Sequence, residues 1–151
     1  MKNSFFHFYL CGILKYIAKH EGDAEKDLKL LGADICEKMV LINDIGQDFD
    51  VDSLIFRIAY TILPLLYSTE RMVEVSTSQI NTYFLYENMP VFGGDSSSND
   101  FIFSETIISG FIEAIFAFSG FKTKVTVYGC PKKEAPNRVV YEIVIAESPE
   151  E

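Results

Sequence analysis

Two histidines, three cysteines and a scatter of carboxylates are the side chains here that could do chemistry, and their spacing assembles none. His7 and His20 lie far apart on one N-terminal helical pattern, and they read as structural or surface residues. Cys11, Cys36 and Cys130 are odd in number, widely spaced and without a CxxC pair, so they read as reduced thiols of a cytosolic protein. The acidic run D-I-G-Q-D-F-D at 44–50 invites calcium, but it lacks the ligand spacing and distal Glu of an EF-hand loop. Helix capping by Asp50 is the expected use of that run. Glu113, set in an apolar stretch, is expected to be a paired or helix-edge acid rather than a general acid. GxSxG, P-loop, GxGxxG and HExxH motifs are absent. No catalytic residue, metal site or cofactor is therefore assigned.

The composition narrows the classes further. A chain of 151 residues with 48% hydrophobic and 23% charged residues reads as one globular domain over 1–151. Its formal net charge of -9 repels phosphate backbones, which argues against nucleic acid as a partner. The run 5–18 imitates a signal peptide, yet His7 and Lys15 interrupt it and no small-x-small site follows. It is also shorter than the ~20 residues of a membrane span, so no transmembrane segment is expected there.

The elements follow from periodicity. Residues 4–20 read as a first helix that is apolar nearly all round, through Phe5, Phe6, Phe8, Tyr9, Leu10, Ile13, Leu14, Tyr16 and Ile17. One face of such a helix can meet its own core, and covering the other calls for a second chain; the alternative is a central core helix with no partner. A second helix over 24–42, N-capped by Asp23, carries a stripe of Leu28, Leu31, Ile35, Met39 and Ile42, with Glu25 and Lys29 as an i,i+4 pair. A third, over 51–66, points Leu54, Ile55, Ile58, Ala59, Ile62 and Leu63 inward, with Phe49 stapled onto Leu54. Pro64 is expected to kink or end it. Strands are expected at 71–75 and 80–86, and 91–100 is expected to be a loop. A long apolar helix then runs to Ser119-Gly120-Phe121, where Gly120 has the place of a left-handed C′ residue. Strands at 122–129 and 139–146 finish the chain around a polar connection at 130–137. The fold class is α+β, with helices packed on one face of a twisted four-stranded antiparallel sheet.

Certain residues in this order and spacing resemble the small, bet-three-like subunits of the transport protein particle, TRAPP. They are Leu28, Leu31-Gly32 and Ile35, then Asp48-Phe49, then 83–86 leading into Glu87-Asn88-x-Pro90-Val91. Gly110-Phe111-Ile112-Glu113-Ala114, Ser119-Gly120-Phe121 and Lys124-Val125-Thr126 follow. The likeness covers most of the chain, is strongest over 103–128, and is nearest the subunit-five type. The resemblance implies the bet-three-like fold and pairing of the first two helices with another small subunit. It implies a non-catalytic place in a particle that tethers vesicles between endoplasmic reticulum and Golgi. That particle acts as exchange factor for a Rab-type GTPase, met only by the assembled complex. The location implied is cytoplasmic, peripheral at endoplasmic reticulum and cis-Golgi membranes.

On residues, the expected partner-facing set is Phe6, Tyr9, Leu10, Ile13 and Ile17 with Leu28, Leu31, Ile35 and Met39. Gly32, Gly110 and Gly120 are expected to be structural. In isolation, for want of the natural partner, a homodimer is open to the chain, and the sequence does not decide between homodimer and heterodimer. Where the founding subunit of the family carries an acylated cysteine just before its D-F pair, this chain has Gly46, which removes lipid attachment there. Cys36, Pro64 and the long 130–137 connection also depart from the family pattern. The alternative reading is a carrier of a hydrophobic acyl-type ligand in the same fold, with the many Phe residues lining a tunnel.

Overall fold

The computed structural model describes residues 23–47, 50–67, 71–92 and 100–146. The expected first helix and the Phe49 staple lie outside them. Asp23 caps the first described helix, α1 (Ala24–Asn43), by accepting from the Lys26 N–H. Asp50 does the same for α2 (Val51–Arg57) through the Ser53 N–H at 3.0 Å. Beyond Arg57 the helix widens into a π-turn over Ile58–Ile62 before its last turn, α3 (Leu63–Leu66). That widening accommodates Pro64. The proline stands at the start of the following α-turn, where its missing N–H costs little. The expected break therefore appears as a π-turn just upstream, and the helix ends at Tyr67 in extended conformation.

Strands β1 (Arg71–Val75) and β2 (Thr82–Glu87) form a hairpin. Its turn includes Asn81 at positive φ, so β2 starts two residues later than the expected 80. The expected long helix arrives as two pieces, α4 (Asp100–Ser104) and α5 (Thr106–Phe118), hinged at Glu105. It ends with Phe121 N–H bonded to the Phe116 carbonyl at 2.9 Å and Gly120 N–H to Ala117 at 3.0 Å. Gly120 sits at φ 89°, the left-handed residue of a Schellman motif. Strands β3 (Thr123–Gly129) and β4 (Val139–Ile145) follow.

The four strands are all antiparallel, in the order β1-β2-β4-β3. Register places Val73, Leu85, Tyr141 and Val127 side by side on the inner face. Helix α5 packs on β3 with Ile107, Ile108, Phe111, Ile112, Ile115 and Phe116 buried, and α1 packs along α5. The run Phe101–Phe118 is apolar enough to cross a membrane, but here most of it is buried as the core helix. This is the expected α+β class, with helices packed on a four-stranded antiparallel sheet.

Candidate partner-binding surface

Two glycines from distant parts of the sequence set how α1 meets α5. A Cβ on Gly32 would stand 2.6 Å from the Phe111 nitrogen and closer still to the Ile107 carbonyl oxygen. A Cβ on Gly110 would stand 2.5 Å from the Lys29 Cα and closer to its carbonyl oxygen. Backbone touches backbone at both points, which only glycine permits. The crossing is fixed further by Lys29, whose ammonium reaches Glu113 at 2.6 Å. The same Glu113 oxygen accepts the Val125 N–H at 2.9 Å. One carboxylate thus ties α1, α5 and β3 together. Glu113 is the paired acid expected of it, but Lys29 has turned to it instead of to Glu25, because a half-buried carboxylate is the stronger electrostatic partner.

This close approach divides the apolar stripe of α1. Leu28 and Cys36 are buried in the chain's own core, and burial pushes the Cys36 thiol up to about 11, with Glu37 adding to the rise. Leu28, expected among the partner contacts, is thereby spent on the intramolecular crossing. Leu31, Ile35 and Met39 lie on the flank, half-buried. Leu30 is half exposed, and Leu41 and Ile42 are 76% and 79% exposed. Ile42, the last residue of the expected apolar stripe, stands clear of the chain's own core, because α1 outlasts the core it packs on and its last turn projects. Beside the crossing lies an open groove of about 700 Å³ whose lining includes Leu30, Ala33, Ala114, Ala117 and Phe121. Phe6, Tyr9, Leu10, Ile13 and Ile17, the other expected contacts, lie outside the described residues. So does Cys11, and so do both histidines.

A buried polar cluster behind the sheet escaped the sequence reading. The Arg71 guanidinium lies 2.6 Å from Glu87 and 4.4 Å from the centre of the Tyr67 ring, with both charged side chains buried. Glu105 accepts the Phe92 N–H and the Tyr141 hydroxyl, each at 2.7 Å. Burial pushes the Glu105 carboxyl up to about 7, although both hydrogen bonds favour the carboxylate. Burial likewise drives the Tyr141 and Tyr67 hydroxyls well above their usual range. The cluster joins β1, β2, β4 and the α4–α5 hinge, so its role is to hold the sheet to the helices. Strand alternation alone could have found part of it, since Arg71, Val73 and Val75 share one face.

Among the described residues no group of three His, Cys, Asp or Glu side chains is placed to hold a metal ion. Gly46 is exposed, with nothing within 4 Å of where its Cβ would stand. Among the described residues, the α1 flank offers apolar helical surface.

No family model matches the chain. A protein of Encephalitozoon cuniculi (strain GB-M1), named as trafficking protein particle complex subunit TRS31, is 27% identical over 141 residues. The match covers 91% of this chain and 97% of that protein. Among solved structures, a trafficking protein particle complex subunit 3 from Naegleria fowleri, covalently bound to palmitic acid, superposes with a TM-score of 0.74. It is 11% identical, over 99% of this chain and 98% of that one. An Fe(II) unliganded H-NOX protein from K. algicida gives a TM-score of 0.51 at 10% identity, over 84% of this chain and 65% of that one. The two structural likenesses, at such identities, concern the fold alone.

Proposed function

We propose that this chain is one of the small subunits of the trafficking protein particle, a structural, non-catalytic arm of that vesicle-tethering complex. The observation that carries the reading is the end-to-end match to a named subunit, 91% of one chain against 97% of the other. The type is nearest subunit five. The complex acts between endoplasmic reticulum and Golgi, and its core is a nucleotide exchange factor for a Rab-type GTPase that this chain meets only within the assembly. It works in the cytoplasm, peripheral to endoplasmic reticulum and cis-Golgi membranes.

Pairing with another small subunit uses the flank of α1 and the apolar segment before it. Leu31, Ile35 and Met39 contribute from α1, with Phe6, Tyr9, Leu10, Ile13 and Ile17 from residues 4–20. Support comes from the apolar side chains left at the surface of α1, Leu30, Leu41 and Ile42. The glycine crossing gives that flank a rigid backing, because α1 cannot shift without breaking backbone contact with α5. The isolated chain satisfies the same surface by homodimerising.

The test is the double variant Tyr9→Glu with Ile13→Glu, introduced into a tagged chain in its own cells. Loss of the co-purifying small subunit, with the chain's own melting transition kept, is the expected result. Undiminished co-purification would overturn the pairing surface.

A further inference from the structure

The outer face of the sheet presents a second surface with a chemistry of its own. Register sets Met72, Tyr86, Val140 and Tyr128 side by side across β1, β2, β4 and β3. At ~4.8 Å between strands this apolar row is about 14 Å long and one side chain wide. Met72 and Tyr128 are each 49% exposed. Along one side of it runs the next row, in which Glu74 and Glu142 flank Phe84.

Along the other side stands the connection 130–138, which is folded rather than loose. Cys130 N–H bonds to the Arg138 carbonyl at 2.9 Å, and Lys132 and Ala135 exchange a pair of backbone bonds at 3.1 and 3.0 Å. Ala135 is buried beneath this small hairpin. The hairpin fixes the Arg138 guanidinium over the Tyr86 ring, 4.3 Å from its centre. A pocket of about 280 Å³ opens there, lined by Arg71, Met72, Tyr86, Asn88, Lys132 and Arg138.

One guanidinium nitrogen of this pocket, Arg138 Nε, is buried and has no hydrogen-bond partner among the described residues. Buried donors left in that state are costly, and an acceptor brought from outside relieves them. In a chain of net charge -9, Lys132 and Arg138 at one pocket, beside an Arg71 already paired with Glu87, mark it for an anion.

We propose that this face binds a short segment of another polypeptide, laid across the strands, with apolar side chains on the Tyr128–Met72 row and an acidic side chain in the Arg138 pocket. A carboxylate side chain enters the pocket with room to spare and meets the unsatisfied Arg138 Nε. Glu74 and Glu142 oppose an anionic bilayer pressed on the same face, and a row one side chain wide fits one segment rather than a flat surface. The face lies opposite α1 across the sheet, so it stays open while α1 is paired, and it does not depend on that pairing.

The test places a photo-crosslinking benzoylphenylalanine at Tyr128, and separately at Leu41 on α1, in a tagged chain within its own cells. Adducts are read by mass spectrometry. The Tyr128 probe is expected to join one other protein, at a segment with Asp or Glu within four residues of the crosslink. Lys132→Glu with Arg138→Glu should cut that yield by about tenfold or more and leave the Leu41 adduct unchanged. Lys132→Glu alone, on an exposed side chain, should cut it in the same direction and decides the matter if the double variant fails to fold. An adduct to lipid, to a second copy of this chain, or to nothing would overturn the proposal. So would a protein adduct whose yield ignores the charge reversal. Loss of the Leu41 adduct alone would tell against the α1 pairing and leave this face standing.

Discussion

Replacing Gly32 by alanine adds one methyl group, and the structure says where it must go. The new carbon would meet the Phe111 nitrogen at 2.6 Å and the Ile107 carbonyl oxygen at closer range. Both are backbone atoms of α5, so no flexible side chain can yield. Ordinary contact needs about 3.4 Å or more, so α1 and α5 must part by roughly 1 Å along a buried interface. Overpacking of this kind costs about 1–3 kcal/mol, and a contact with two backbone atoms belongs at the upper end. Alanine returns about 1 kcal/mol of helix propensity over glycine. The net expectation is a loss of about 2 kcal/mol, which for a chain of this size lowers the melting midpoint by about 4–8 °C. Gly46→Ala is the matched control, because nothing lies within 4 Å of its Cβ position. It should be neutral or stabilise by up to about 1 kcal/mol through the unfolded chain. Urea denaturation of the two variants beside the parent decides the point. A Gly32→Ala variant as stable as the parent would refute the backbone-to-backbone crossing.

Three further outcomes are expected. Gly110→Leu should overpack the same crossing from the other side, against Lys29, and lower the midpoint by at least as much as Gly32→Ala; an unchanged midpoint would count against it. Glu105 holds its proton up to about pH 7 in the fold but only to 4.5 when unfolded. Its contribution is therefore full below about pH 4.5 and is lost as pH rises to 7, a difference of about 3 kcal/mol. Glu87, Arg71, Tyr67 and Tyr141 face it, and Glu105→Gln should flatten the fall in stability between pH 5 and 7.5; an unchanged slope in urea titrations would contradict the assignment. Arg71→Met should cost about 3–5 kcal/mol by stranding the Glu87 carboxylate, whereas Arg71→Met with Glu87→Leu should recover most of that in the same assay.

Local signals in the chain proved readable where one short stretch determines the outcome. Asp23 and Asp50 cap their helices, and Ser119-Gly120-Phe121 closes α5, because each needs only neighbours within a turn. The strands expected at 71–75, 122–129 and 139–146 lie within a residue of those bounds for the same reason. What escaped the sequence joins residues far apart along it. Gly32 and Gly110 meet only because α1 is laid along α5, and Lys29 finds Glu113 rather than Glu25 only after that crossing exists. Leu28 looked like surface because a stripe shows that a helix has an apolar side, not what covers it. Arg71 and Glu87 hold inward positions of β1 and β2, yet each charge is tolerable inside only with the other beside it. The π-turn before Pro64 resolves a conflict between proline and helix that the sequence poses but does not settle.

The most direct measurement is the native mass of this chain purified gently from its own cells. A stoichiometric complex holding another small subunit of the trafficking protein particle is expected, with the contact crosslinked through the α1 flank. A lone monomer, stable and without associated protein, would contradict its place in such an assembly.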